Sequence, residues 1–180
     1  MGNFVSICLL SYERPDFFYK SLVSLEKSIQ NGIAKAEIIV NDDCSTDERV
    51  SELLYKLYKD GRVSSLILNA AGTNSGNQGV GASFIKAFGV SSGKYVVKAD
   101  VDLLYRFGWL DECVSILENI PNISNVGGFH YFHDPVDTRK LYQETITING
   151  VTAEKHKDSV GSLMAMPRKL LEQYPWQTHS

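Results

Sequence analysis

An α/β domain with a mostly parallel sheet is what the sequence predicts, and three observations predict it. Short, nearly continuous apolar runs recur up to Phe132, the pattern of strands covered on both faces. Segments with apolar residues at helical spacing separate them. The resulting β-α-β-α-β-α-β-α-β alternation is the order that right-handed crossovers wind into a parallel sheet with helices on its faces.

FVSICLL (4–10) is the first strand. Pro15 suits a first helical turn, Phe18, Leu22, Leu25 and Ile29 follow on one face, and Gly32 is the stop. AEIIVN (36–41) is the second strand. Ser45 and Glu48 have capping-box spacing ahead of a helix whose stripe is Val50, Leu53, Leu54 and Leu57, ended by Gly61. VSSLILN (63–69) is the third strand, and NAAGTNSGNQGVG (69–81) is a loop by composition. The next helix turns Val80, Phe84, Ala87 and Phe88 inward, and Gly93 precedes a fourth strand, KYVVKA. A helix from about Gly108 to Asn119 carries Leu110, Cys113, Ile116 and Leu117 on one face and stops at Pro121. NVGGFHYF (125–132) is a fifth strand. Beyond it LYQETITING (141–150) alternates as an edge or hairpin strand would, SVGSLMAMP (159–167) is another apolar run, and RKLLEQYPW is a short helix. With no internal repeat, low-complexity tract or linker in 180 residues, one domain over 1–180 is expected.

An apolar fraction of 43% suffices for a substantial core. A net charge of −3 with scattered Lys and Arg points away from a nucleic-acid partner. Cys8, Cys44 and Cys113 are odd in number and lack C-x-x-C spacing, which argues against a disulfide framework or structural zinc and suits a reducing compartment. The N-terminus lacks a signal-peptide pattern, and no run approaches the ~18 apolar residues of a membrane span. A cytoplasmic protein with no integral membrane segment is expected.

In an open α/β sheet, ligands bind beyond the carboxyl ends of the strands, near the point where strand order reverses. Those ends here are Ser11-Tyr12-Glu13-Arg14, Asn41-Asp42-Asp43, Asn69 and Asp100-Val101-Asp102. Two of the four carry acidic pairs. The carboxylates of such a pair disfavour each other's ionisation unless a cation or solvent compensates. No Gly-Lys-Ser/Thr triplet makes a Walker loop, and Gly76, Gly79 and Gly81 follow the wrong strand in the wrong order for a dinucleotide fingerprint. If phosphates bind, a divalent cation held by hard oxygens such as those of Asp100 and Asp102 is the remaining standard solution.

VSICLLSYERPDFFYKSL (5–22), EIIVNDDCSTDE (37–48), NSGNQGVGASFIKAF (74–88) and GKYVVKADVDLLYRFGWLDE (93–112), in that order, resemble the family 2 glycosyltransferases of the GT-A fold. The resemblance covers residues 4–117 well and 125–172 loosely, through VGG and GSLMAMPRKLL. It implies a Rossmann-like, mostly parallel sheet flanked by helices, with an antiparallel hairpin region near the C-terminus. Residues 1–120 would be the nucleotide-binding half and 121–180 a truncated acceptor-side half. It further implies that Ser11 and Tyr12 sit under the nucleotide base, that Asp42 or Asp43 accepts the imide N–H of a uracil, and that Asp100 meets the ribose or the metal. Asp102 would ligate the metal, Mn2+ or Mg2+, which bridges the diphosphate. The partners implied are a nucleotide-sugar donor and a saccharide, lipid or protein acceptor.

Three departures stand out. Cys44 occupies the place of a glycine, which is tolerable where the backbone has negative φ. Phe84-Ile85-Lys86 stands where many members carry Arg-Asn, leaving Lys86 as a weak substitute for a cationic phosphate contact. The acid that acts as general base in the family lies past a helix resembling RKLL, and the sequence stops at Tyr174-Pro175-Trp176-Gln177-Thr178-His179-Ser180. Asp134, Asp137, Glu144 and Asp158 are spare acids, Asp158 being the first candidate base. His130, His133, His156 and His179 are candidate third metal ligands. The leading expectation is metal-assisted transfer of a sugar from a UDP-linked donor to a hydroxyl, weak or absent in the 180-residue chain. The alternative is a truncated nucleotide-sugar-binding module without transfer. A sugar-1-phosphate nucleotidyltransferase ranks last, because that class wants a glycine-rich loop after the first strand and SYERPDFF contains none.

Overall fold

The chain runs β1 (Phe4–Ser11), α1 (Pro15–Ile29), β2 (Lys35–Asp42), α2 (Glu48–Lys59), β3 (Ser65–Leu68), α3 (Gly79–Val90), β4 (Tyr95–Asp100) and α4 (Trp109–Asn119). It continues with β5 (Val126–Gly127), β6 (Tyr142–Ile148), β7 (Val151–His156), β8 (Leu163–Pro167) and α5 (Arg168–Gln173). The computed structural model describes residues 4–69, 76–127, 142–156 and 161–174. Six strands form one sheet in the order β3-β2-β1-β4-β8-β5, and β6 pairs with β7 as a separate antiparallel hairpin. The β3, β2, β1 and β4 strands are parallel, whereas β8 runs antiparallel between β4 and β5.

The near-continuous apolar runs are explained by helices on both faces. Val5, Ile7 and Leu9 of β1 pack with Phe18, Leu22 and Leu25 of α1, Leu54 of α2 and Trp109 of α4. On the opposite face Cys8 and Leu10 meet Phe84 and Ala87 of α3, Met164 and Met166 of β8, and Leu171 of α5. Alternate residues of one strand therefore enter two cores, and a polar residue within β1 needs a partner to offset its burial.

Ser6 shows what that demands. Its hydroxyl donates to Glu37 Oε1 at 2.5 Å and accepts the Gly93 N–H at 2.7 Å. The Ser92 N–H and hydroxyl add bonds to the same carboxylate oxygen, at 2.7 and 2.8 Å. Burial opposes the Glu37 charge, but the bonds from Ser6 and Ser92 outweigh it and hold the carboxyl below the ordinary range. Arg168 Nε closes the other side of the turn on the Gly93 carbonyl at 2.7 Å. The cluster sits at the amino end of β4, away from the strand ends that carry Asp42 and Asp100. It fixes where β4 starts.

Several expectations need correction. Ser45 does not cap α2: the N-cap is Asp47, whose carboxylate accepts the Arg49 N–H, and the Ser45 hydroxyl is used elsewhere. Val80 is 52% exposed and does not face inward. The antiparallel hairpin expected near the C-terminus is present, the alternating segment 141–150 supplying β6 and residues 151–156 its partner β7. Asn149 and Gly150 both have positive φ, 50° and 78°, as a two-residue I′ turn requires. Residues 128–132 of the expected fifth strand lie outside the described residues.

Candidate functional site

The carboxyl ends of β2, β1 and β4 are neighbours. Ser11 is in register with Asp42 on one side, and Leu10 with Asp100 on the other. At about 4.8 Å per strand the two acidic pairs stand roughly 10 Å apart on one rim, separated by the end of β1. This is the point where strand order reverses, with β2 and β3 to one side of β1 and β4 to the other.

The two aspartates of β2 are buried and point apart. Asp42 accepts the Ser45 N–H at 2.9 Å and the Ser45 hydroxyl at 2.6 Å, which folds the β2–α2 loop back on its strand. Asp43 accepts the Gln78 and Gly79 N–H groups at 3.0 and 2.8 Å at the start of α3, the Gly79 N–H being shared with Asn77 Oδ1 at 2.7 Å. Each carboxylate keeps lone pairs for a further donor. The Asp43 N–H donates to the Ser11 carbonyl at 2.8 Å, joining the two strand ends. Ser11 Oγ is buried without a hydrogen-bond partner among the described residues, and Tyr12 is half exposed on the rim.

Sequence reasoning gave no role to Glu13, yet Glu13 ties the first loop to the second. It accepts the Thr46 N–H at 2.7 Å, the Thr46 hydroxyl at 2.9 Å and the Asp47 N–H at 3.3 Å. The Thr46 N–H is the main cause that holds the Glu13 carboxyl below its ordinary range. Glu13 and Arg14 have φ of 53° and 56°, and Cys44 has φ of 66°. The condition under which Cys44 replaces a glycine without strain is thus not met: the cysteine adopts the left-handed conformation that glycine takes freely. Cys44→Gly is expected to stay within about 1 kcal/mol of the wild type in urea denaturation. Cys44→Val should destabilise by about 2 kcal/mol, because a β-branched residue resists positive φ.

On β4 the pair is asymmetric. Asp100 is 30% exposed at its side chain and lies 2.7 Å from the ammonium of Lys98, which is buried. Lys98 also donates to the Gly161 carbonyl at 3.3 Å. Asp102 is 47% exposed and has Arg14 at 3.7 Å. Lys98 was missed by sequence reasoning, although a signal existed: a lysine inside YVVKA must find a counter-ion, and Asp100 is two residues along on the same face. The Asp100 N–H donates to the Ser162 carbonyl at 3.0 Å, so the start of β8 lies beside the acidic pair. Behind it, Tyr105 Oη is buried with no partner among the described residues. Burial, then the Asp100 and Asp102 charges, push the Tyr105 phenol above its usual value.

Lys86 donates to Asn69 Oδ1 at 2.6 Å and braces the end of β3. Glu144 is exposed on the β6–β7 hairpin and paired with Lys155 at 2.9 Å. Asp134, Asp137 and Asp158, with His130, His133 and His179, lie outside the described residues, as does the side chain of His156. Among the described residues no three His, Cys, Asp or Glu side chains converge as a metal cluster. Asp100 and Asp102 offer hard oxygens at a solvent-open rim, which fits Mg2+ or Mn2+ completed by water and phosphate oxygens. A groove of about 480 Å3 between α1 and the loop after β4, lined by Tyr19, Lys27, Tyr105 and Phe107, shares no residue with this rim. The buried cysteines form no disulfide, and burial raises the Cys8 and Cys113 thiols to about 12.

The sequence pattern of the family described as glycosyl transferase family 2 matches residues 6–175. The chain belongs to that family. An uncharacterized glycosyltransferase from Haemophilus influenzae is 30% identical over 127 residues, 69% of this chain and 36% of that protein. Among solved structures, the family 2 chain superposes on a Pyrobaculum calidifontis mannosyltransferase in complex with GDP-Man and Mn2+. The TM-score is 0.67 at 18% identity, over 96% of this chain and 46% of that one. Glucosyl-3-phosphoglycerate synthase from Mycobacterium tuberculosis in complex with UDP gives 0.60 at 19%, over 94% and 58%. The family 2 chain thus spans between about a third and three-fifths of the length of these relatives. At such identities the superpositions establish the GT-A fold.

Proposed function

We propose that the chain transfers a sugar from a UDP-linked donor to a hydroxyl of a saccharide, lipid or protein, assisted by Mn2+ or Mg2+. The observation that carries the reading is the meeting of both acidic strand ends at the switch point of a GT-A sheet. The base would lie over the Ser11-Tyr12 backbone, with Asp42 or Asp43 accepting its imide N–H through a remaining lone pair. Asp100 would face the ribose, and Asp102 would hold the metal. When bound, the metal supplies Lewis-acid stabilisation of the diphosphate leaving group. Asp158, three residues ahead of Gly161, is the proposed base for the acceptor hydroxyl. The reading extends to a cytoplasmic location; among the described residues no helix is long and apolar enough to cross a membrane.

Calorimetric titration of UDP, GDP and dTDP with and without Mn2+ tests base choice and metal use together. UDP is expected to bind more tightly than GDP, and more tightly in Mn2+ than in EDTA. Binding of GDP in preference to UDP would replace the uracil assignment, and no nucleotide binding at all would end the donor-site reading.

A further inference from the structure

The four charged side chains at the end of β4 cancel. Asp100 has the Lys98 ammonium at 2.7 Å, and Asp102 has the Arg14 guanidinium at 3.7 Å. Asp42 and Asp43 stand on the neighbouring strand end, and their carboxylates are turned to the Ser45 hydroxyl and to the N–H groups of the two loops. We infer that Lys98 is a positioning residue that makes divalent-metal binding conditional on the nucleotide, by balancing the charge of the Asp100–Asp102 pair at the end of β4. The inference rests on the donor-site reading above and adds to it an order of binding.

The two cations are not equivalent. Arg14 is 64% exposed, on a long side chain in a solvent-facing pair, and can swing aside at little cost. Lys98 cannot. It projects from the middle strand of three, β1-β4-β8, level with Cys8 and Met164 in the ladder, and is buried among apolar neighbours. A buried ammonium needs its counter-ion, because removing one partner leaves an uncompensated charge out of water. Asp100 is therefore committed to Lys98 and keeps one oxygen for a ligand hydroxyl, while Asp102, of the two, is free to exchange partners. A lone exposed carboxylate beside a fixed positive charge is a poor site for a dication. A nucleoside diphosphate would change the balance, because its phosphates would bring negative charge and hard oxygens to stand beside Asp102.

A charge within about 4–6 Å changes a carboxylate's affinity for a proton by about 1–3 log units. A dication feels twice the charge of a proton, so removing the Lys98 charge should strengthen Mn2+ binding to the nucleotide-free chain by at least about tenfold. The test is a titration of the 180-residue chain with Mn2+ alone, followed by electron paramagnetic resonance, with UDP affinity measured in parallel in Mn2+ and in EDTA. The wild type is expected to show no saturable Mn2+ site up to about 1 mM without nucleotide, yet to bind UDP more tightly in Mn2+. Lys98→Met, close to lysine in length but uncharged, is expected to bind Mn2+ alone at least tenfold more tightly than wild type. Lys98→Arg should behave as the wild type. Folded Lys98→Met with unchanged or weaker Mn2+ binding overturns the inference. So does a wild type that binds Mn2+ tightly without UDP, and that result requires no variant to fold. Neither outcome touches the donor-site reading, which instead fails if the wild type binds no UDP under any condition.

Discussion

Asp102→Asn is expected to weaken UDP binding in Mn2+ by at least about tenfold, the lower end of what even outer-shell losses cost a metal site. In EDTA the loss should be slight. The substitution removes a ligand charge while keeping the shape, so its effect belongs to the metal-bound state. Its structural role is small: Asp102 is 47% exposed, and its one ion-pair partner among the described residues, Arg14, stands 3.7 Å away at a solvent-open edge. Such pairs are worth about 0–1 kcal/mol, so the variant should fold and melt as the wild type does. Transfer, where it can be measured, should fall further than affinity, by about 10²–10³-fold, because the leaving diphosphate develops charge only as the glycosidic bond breaks. Equal losses of UDP affinity in both buffers would assign Asp102 a structural role and remove it from the metal site.

Gly93→Ala is expected to cause a large loss of stability for a single added methyl. A Cβ at Gly93 would lie 2.5 Å from the Ser6 nitrogen, and 2.8 Å from both Ser6 Oγ and the Tyr95 carbonyl. Two of those three atoms are backbone of β1 and β4, so relief requires the strands to part. The Gly93 N–H bond to Ser6 would be lost with it, leaving the Glu37 carboxylate with fewer donors. Overpacking of this kind costs about 3 kcal/mol or somewhat more, or a fall in Tm of roughly 6–12 °C at this chain length. Gly89→Ala is the control. Its Cβ would meet nothing within 4 Å on α3, and replacing a helical glycine there should raise stability by up to about 1 kcal/mol. Matched melting curves of the two variants decide the matter; similar Tm values would mean that the turn before β4 is more compliant than its contacts indicate.

Local chemistry was legible in the sequence, and long-range order was not. The strands β1, β2 and β4 were visible because burial on both faces leaves no polar alternation to obscure them. The stripe from Phe18 to Ile29 gave α1 for the same reason, read at helical period. Position in the sheet is another matter: nothing in LMAMP says that it enters antiparallel between β4 and β5, since pairing partners are chosen across the whole fold. The hairpin turn Asn149-Gly150 carried a sufficient local signal, an Asn-Gly pair directly after an alternating strand. At the rim, the acidic strand ends were legible and their present partners were hidden. Asp43 could be seen to end a strand, but not to cap a helix beginning thirty-six residues later. Left-handed φ at Glu13, Arg14 and Cys44 has no signature in side chains that ordinarily avoid it.

The placement of β8 bears on how the chain emerges during synthesis. β4 ends at Asp100 and its outer neighbour begins at Leu163, so at about 5–20 residues per second β4 remains an open edge for several seconds. An unpaired strand reading Tyr95-Val96-Val97 is a template for pairing with another nascent chain. Lys98 interrupts that strand with an inward-pointing charge, a device by which natural sheets discourage edge-to-edge aggregation. In the finished sheet β8 lies along β4, and the lysine is buried beside its counter-ion. One residue thus guards the edge while the sheet is incomplete and sets the charge of the rim once it is whole.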